Sequence, residues 1–131
     1  MFYGTCKHAC PVLIASAKQV ESAASPSARA RTRIVMVTID PARDTPAALA
    51  ELARSYDVGD RWTFLHGSDG DIRELAAVLG IRYRATADGE FQHSNVLTLL
   101  NAQGAVVHQT VGLGASTDEM VAELERLAVS P

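Results

Sequence analysis

Six consecutive residues, Ile34-Val35-Met36-Val37-Thr38-Ile39, are apolar or β-branched and carry no charge. The run lacks the apolar–polar alternation of a strand with one wet face, so it reads as a strand buried on both faces. Strands of that kind belong to sheets covered by helices, and the flanks supply candidates. Upstream, Pro11 opens an apolar run, Val12-Leu13-Ile14-Ala15, that continues as helix to about Ala24. Proline suits a first helical position because its missing N–H would be unbonded there anyway. Ser25-Pro26-Ser27 then breaks that helix. Before it, Phe2 to Thr5 reads as the end of a strand. The βαβ unit so formed predicts a parallel pair with a right-handed crossover.

Downstream, Asp40-Pro41-Ala42-Arg43-Asp44 is a turn. Thr45 or Asp44 caps a helix that has Pro46 at its start and Leu49, Leu52, Ala53 and Tyr56 on its apolar stripe. Trp62 to His66 is a short strand candidate. Ser68 or Asp69 caps the next helix, with Ile72, Leu75, Ala76 and Leu79 inward and Gly80 at its end. Residues 81–92 read as a polar loop carrying Asp88-Gly89. Val96 to Leu100 and Ala105 to Val111, joined by Asn101-Ala102-Gln103-Gly104, form an antiparallel hairpin. Ser116-Thr117-Asp118-Glu119 has capping-box spacing and opens a last helix with Met120, Val121, Leu124 and Leu127 inward. An early βαβ unit followed by a late hairpin is the thioredoxin-like plan. The expected fold is α/β, a central mixed sheet flanked by helices, in one domain over residues 1–131.

Composition excludes some functions. The net charge is -3, and the basic residues are dispersed, so nucleic acid is not an expected partner. The one cluster, Arg29, Arg31 and Arg33, reads as a solvated loop. No apolar run reaches the length of a membrane span. The reactive loop comes very soon after residue 1, so a preceding strand or hairpin, and an anchor or signal, are expected upstream.

That loop is Cys6-Lys7-His8-Ala9-Cys10-Pro11, and it holds the only two cysteines. Both lie at a helix N-terminus, where the positive end of the dipole favours thiolate, and Lys7 adds to the effect. Thiolate both attacks disulfides and binds metal, so redox and metal chemistry start from the same ground. A structural disulfide or a pair of inert thiols is the plainer reading; the solvent-facing strand-to-helix turn counts against it. The C-x-x-x-C spacing differs from the C-x-x-C of disulfide oxidoreductases.

Phe2-Tyr3-Gly4-Thr5-Cys6-Lys7-His8-Ala9-Cys10-Pro11 resembles the C-x-x-x-C-P loop of the Sco/SenC family of copper proteins. Val37-Thr38-Ile39-Asp40-Pro41-Ala42-Arg43-Asp44-Thr45-Pro46 is similar to that family's D-P-x-R-D-T-P segment, and Gln92-His93-Ser94 to its D-H-S segment. The three motifs fall in the family's order and span most of the chain. The resemblance implies a thioredoxin-like protein that binds copper through Cys6, Cys10 and His93. It implies a metallochaperone that delivers copper to the copper-bearing subunit of cytochrome c oxidase, or to another copper protein, or that reduces its cysteines. A periplasmic or other extracytoplasmic location, with an inner-membrane anchor upstream, comes from the resemblance as well. Asp40 and Arg43 match the second motif, which leaves open a structural role, a role behind the ligands, or direct contact. Gln92 stands where the family commonly has an acid, and Lys7-His8-Ala9 where it often has Pro-Asp and an apolar residue.

Thioredoxins carry a proline facing their cysteines at about the place of His93, whereas the prolines here are Pro11, Pro26, Pro41, Pro46 and Pro131. A histidine there turns a redox loop into a three-ligand site. Two soft thiolates and an imidazole suit Cu(I), or Zn(II) with a fourth ligand. The plainer reading of His93 is a hydrogen-bonded loop histidine. His8 is read as exposed, with a fourth-ligand role as the alternative; His66 as a strand-end residue; and His108 as lying on the wetter face of the hairpin. Asp69, Asp71 and Glu74 read as helix-start charges. The competing function is a thiol–disulfide oxidoreductase, or a thiol peroxidase, using Cys6 and Cys10 without metal.

Overall fold

The computed structural model describes residues 1–130; Pro131, the last of the prolines counted above, lies outside them. Its elements run α1 (Ala9–Ala23), α2 (Pro26–Ala30), β1 (Ile34–Val37), α3 (Pro46–Ser55), β2 (Trp62–Leu65), α4 (Asp69–Leu79), β3 (Tyr83–Ala85), β4 (Phe91–His93), β5 (Val96–Leu100), β6 (Val106–Val111) and α5 (Asp118–Val129). The chain is a mixed α/β fold. No helix among the described residues is long and apolar enough to cross a membrane.

β1 and β2 pair in parallel, from Ile34 opposite Trp62 to Val37 opposite Leu65. β5 and β6 form the expected antiparallel hairpin. The single mixed sheet expected from sequence is instead three two-stranded ladders, the third being β3 with β4. The first strand of the βαβ unit is reduced to one parallel bridge, Phe2 with Thr38. There the Phe2 amide donates to Val37 O at 3.0 Å, and the Ile39 amide donates to Phe2 O at 2.8 Å. β1 is also less covered than its composition suggests. Met36 is buried, but Val35 on the opposite face is 51% exposed, because a strand's successive side chains alternate and only one face meets the core.

Four local expectations change. Ser25-Pro26 does end α1, but it also starts α2: Ser25 Oγ accepts from the Ala28 amide at 3.2 Å, with Pro26 in the first turn. Arg29 is therefore not a loop charge. Its guanidinium donates to the carbonyls of Glu21, Ser22 and Ala24 at 2.9–3.0 Å, closing the C-terminal end of α1. Residues 81–92 are not a plain loop, because β3 and β4 pair there around a turn with Gly89 at φ 82°. The capping box at Ser116 is not made: the Thr117 side chain makes no cap bond, and Ser116 Oγ accepts from Asp118 N at 3.3 Å.

The other caps fall as read. Thr45 Oγ1 accepts from Ala48 N and Ser68 Oγ from Asp71 N, and Gly80 closes α4 at φ 69°. Leu49 and Ile72 are buried from their helices, whereas Leu75 is exposed. The main core joins Phe2, Ile14, Met36, Ile39, Leu49 and Trp62. It lies directly beneath the cysteine loop, since Phe2, Tyr3 and Cys10 belong to the same cluster.

Candidate metal centre

α1 begins at Ala9, two residues earlier than the proline suggests, so Cys10 lies within the first helical turn and Cys6 just outside it. First-turn amides have no partner inside the helix. One of them, Cys10 N–H, donates to Cys6 Sγ at 3.3 Å. Partial burial raises the Cys6 pKa, but hydrogen bonds from the Cys10 thiol and from the amides of Cys10, His8 and Ala9 outweigh it and hold the thiol below its ordinary range. Cys10 is the opposite case. It is 2% exposed, and burial first, with the neighbouring Cys6 adding, pushes its thiol up to about 12. Neither cysteine is in a disulfide.

The β3–β4 hairpin brings the third group. His93 ends β4, opposite Tyr83, and its Nε2 lies 3.8 Å from Cys10 Sγ. Its other nitrogen, Nδ1, lies 3.0 Å from the Ser94 carbonyl oxygen. A carbonyl only accepts, so Nδ1 carries the proton and Nε2 presents its lone pair to the sulfurs. That is how a backbone carbonyl fixes a ligating imidazole. Tyr3 packs edge-on against the His93 ring, centroids 5.7 Å apart, and its hydroxyl donates to Glu90 Oε2 at 3.0 Å. Burial first, then that bond, raises Tyr3 to about 12, so the hydroxyl stays a donor.

Cys6 Sγ, Cys10 Sγ and a His93 ring nitrogen all lie within 4.8 Å of one another. Around one ion with metal–sulfur and metal–nitrogen bonds of about 2.3 and 2.0 Å, donors sit roughly 3.5–4 Å apart. The three groups thus need only a small contraction to share an ion, and two thiolates with an imidazole form a soft set suited to Cu(I).

The other sequence candidates stand apart from this cluster. His8 is exposed on the loop and borders a cleft of about 550 Å³ onto which Cys6 and His93 open. His66 follows β2, its Nε2 3.1 Å from Pro41 O. His108 is half-buried in β6, beside Thr110 at 3.3 Å. Asp69 pairs with Arg73 at 2.9 Å on α4. Gln92 accepts from the Arg84 guanidinium across the hairpin at 2.9 and 2.8 Å. Asp40 and Arg43 touch neither sulfur nor imidazole; they pair with each other at 2.5 Å. Sequence reasoning missed the residues that hold the ligands in place, namely Tyr3, Ser94 and Asp44. The last of these accepts from the Gly4 amide at 2.9 Å, two residues before Cys6. The Asp88-Gly89 turn dipeptide is the one sequence signal for the hairpin.

Both the sequence and the fold have known relatives. The sequence profile of the family described as SCO1/SenC matches residues 1–129. A Stutzerimonas stutzeri protein named for copper binding is 26% identical over 112 residues, covering 81% of this chain and 54% of its own. The chain thus spans about half the length of the relatives it matches. The crystal structure of a SCO1/SenC family lipoprotein from Bacillus anthracis superposes with a TM-score of 0.85 at 19% identity, covering 97% of this chain and 77% of that one. The structure of Bradyrhizobium japonicum ScoI with copper bound gives a TM-score of 0.71 at 22% identity, covering 96% and 81%.

Proposed function

The chain belongs to the SCO1/SenC family, and on that premise we propose that it carries one copper ion as cargo on Cys6, Cys10 and His93. The observation that bears this reading is the clustering of three soft or borderline donors within 4.8 Å of one another, with His93 Nδ1 committed to a carbonyl and Nε2 free. Reduced Cys6 and Cys10 supply thiolates, which suit Cu(I) over harder ions. Copper raises the acidity of a coordinated thiol, so loading releases protons and draws Cys10 into the thiolate form despite its burial. Cys6, already low in pKa and partly exposed, is the natural first and last contact of the ion; Cys10 and His93 complete the site behind it.

The recipient is the copper-bearing subunit of cytochrome c oxidase or another copper protein, and the task lies outside the cytoplasm. A family relative that is a lipoprotein supports the second point. Delivery then needs a ligand exchange through the open side, where Cys6 and His93 border the cleft.

Anaerobic Cu(I) titration against a chromophoric competitor tests the reading. Reduced protein should bind one equivalent, and His93→Ala should lose affinity by about 10-fold or more, the scale on which removing a metal contact or its support acts. Equal affinity in the two proteins would remove the three-ligand site.

The unequal thiols favour a second reading, thiol–disulfide exchange without metal. Cys6 thiolate would attack a substrate disulfide, expelling one sulfur as thiolate, and Cys10 would then displace the second and close a Cys6–Cys10 disulfide. Reduction of a protein disulfide that continues undiminished with a copper chelator present would favour it.

A further inference from the structure

The D-P-x-R-D turn touches no ligand, yet it reaches both halves of the site. On one side, buried Asp44 accepts through Oδ2 from the Gly4 amide at 2.9 Å and from the Thr38 hydroxyl at 2.5 Å. Thr38 Oγ1 in turn accepts from the Asp40 amide at 2.9 Å. On the other side, the Arg43 guanidinium donates from Nε to buried Asp40 at 2.5 Å and from Nη2 to the Gly89 carbonyl. Gly89 lies in the turn of the hairpin whose second strand ends at His93.

The turn around Gly89 is well tied internally. Thr86 N donates to Glu90 O at 2.9 Å, Gly89 N to Thr86 O at 3.1 Å, and Glu90 N to Asp88 Oδ1 at 3.2 Å. A hairpin of two three-residue strands is nonetheless too small to hold its own place on a protein body. Tyr83 and Phe91 pack its strands against the main core, with the Arg73 guanidinium 5.4 Å over the Tyr83 ring, and Tyr3 holds it through Glu90 and the ring contacts; the anchor at the turn itself is Arg43.

We propose that Arg43 is a positioning residue that, through Asp40 and the Gly89 carbonyl, braces the β3–β4 hairpin so that His93 faces Cys6 and Cys10. The polar chain Gly4–Asp44–Thr38–Asp40–Arg43–Gly89 makes one turn the common reference for the cysteine loop and the histidine strand. Arginine suits the place because its planar fork spans a carboxylate and a carbonyl from separate nitrogens, whereas lysine's three donors all sit on one nitrogen. The affinity part of this inference rests on the copper reading above; the bracing part does not.

Amide hydrogen exchange on the reduced, metal-free protein tests the brace. In Arg43→Ala the amides of Thr86, Gln92 and Ser94 should exchange several-fold faster, with those of α5 unchanged, because the opening is local. Arg54→Ala, which removes the similarly spaced Arg54–Glu51 pair on α3, should leave those three amides as they were. Cu(I) competition then reads the consequence. Arg43→Ala should lose affinity by about 10-fold, the scale of support behind a ligand, with Arg43→Lys in between. The Arg43→Ala loss should disappear in a His93→Ala background, since Arg43 acts through His93. Unchanged exchange in the hairpin, or an affinity loss that persists without His93, overturns the proposal. If His93→Ala itself binds copper as tightly as the parent, the copper reading falls, and the exchange result still decides the brace.

Discussion

Gly4 and Asp44 approach each other more closely than any other residue type at position 4 would permit. The Gly4 amide donates to Asp44 Oδ2 at 2.9 Å, and a Cβ built on Gly4 would lie 2.4 Å from Asp44 Oδ1. Asp44 is 5% exposed, so it cannot swing into solvent without giving up the Thr38 hydroxyl as well. Gly4→Ala is therefore expected to cost about 1–3 kcal/mol, the range for overpacking a filled site. Asp44→Ala orphans the buried Thr38 hydroxyl, at roughly 1–3 kcal/mol, and frees the half-buried Gly4 amide. Urea denaturation of the reduced protein measures both. A Gly4→Ala protein as stable as the parent would mean that the loop relaxes freely, and the close approach would have no energetic meaning.

The two thiols should differ in reactivity. Cys6 is held below the ordinary thiol range by amide and thiol hydrogen bonds despite its partial burial, while burial lifts Cys10 to about 12. Thiolate is the reacting form, so at any given pH Cys6 is more reactive than an ordinary thiol, and Cys10 gains thiolate only in strong alkali. Brief iodoacetamide treatment of reduced, metal-free protein should label Cys6 first, with a rate that rises through a midpoint below that of a free thiol. Peptide mapping across a pH series reads this directly. Equal labelling at neutral pH, or Cys10 ahead of Cys6, contradicts the assigned environments.

The parts of the site that were legible in the sequence are those carried by chemically distinctive residues at fixed spacing. Cys6, Cys10 and His93 were named from motifs, and the structure brings all three together. The helix start beside the cysteines is legible too, because Pro11 and the apolar run after it mark it whatever packs against it, whereas the strand expected before them is only the Phe2–Thr38 bridge. The means by which His93 arrives was not legible. β3 and β4 have three residues each, with Arg84 and Gln92 paired on the wet side, too short and too polar to show a period of two. Residues 34–39 do supply a strand, but the burial on both faces that their composition suggests is not met, for a different reason. Apolar composition reports what could be buried, whereas Val35 is left exposed by what packs nearby. Ser25-Pro26 is both a stop and a start, since a cap residue and a first-turn proline end one helix and open the next.

The far end of α1 should be sensitive to acid. Glu125 on α5 accepts from the Ser25 amide at 2.6 Å and from the Ser25 hydroxyl at 2.8 Å. Those bonds, backbone first, hold its carboxyl below the usual range. A carboxylate with a lowered folded-state pKa contributes stability above its unfolded pKa and loses it as pH falls through the folded value. Glu125→Gln should thus melt below the parent at neutral pH, with the gap closing as pH is lowered past the ordinary glutamate range. Thermal melts of both proteins across that window measure it. A gap that does not change with pH would show that the charge contributes nothing to this contact.

Oxidation and copper loading should exclude each other. Closing a Cys6–Cys10 disulfide removes two electrons and two protons and leaves neither sulfur as a thiolate, so His93 alone would remain to hold Cu(I). The loop between the two cysteines is short, and the entropic gain from closing it is about 2 kcal/mol. Saturating copper, bound only by the folded state, stabilises by about 4 kcal/mol at a thousand times its dissociation constant. The copper-loaded reduced protein is therefore expected to melt above the oxidised protein, which in turn melts above the reduced metal-free one. Calorimetry on the three states, with free thiols counted before and after, measures the order. If oxidised protein binds Cu(I) as tightly as reduced, or if copper adds nothing beyond what the disulfide gives, then Cys6 and Cys10 act as a staple and the metal site is not formed by them.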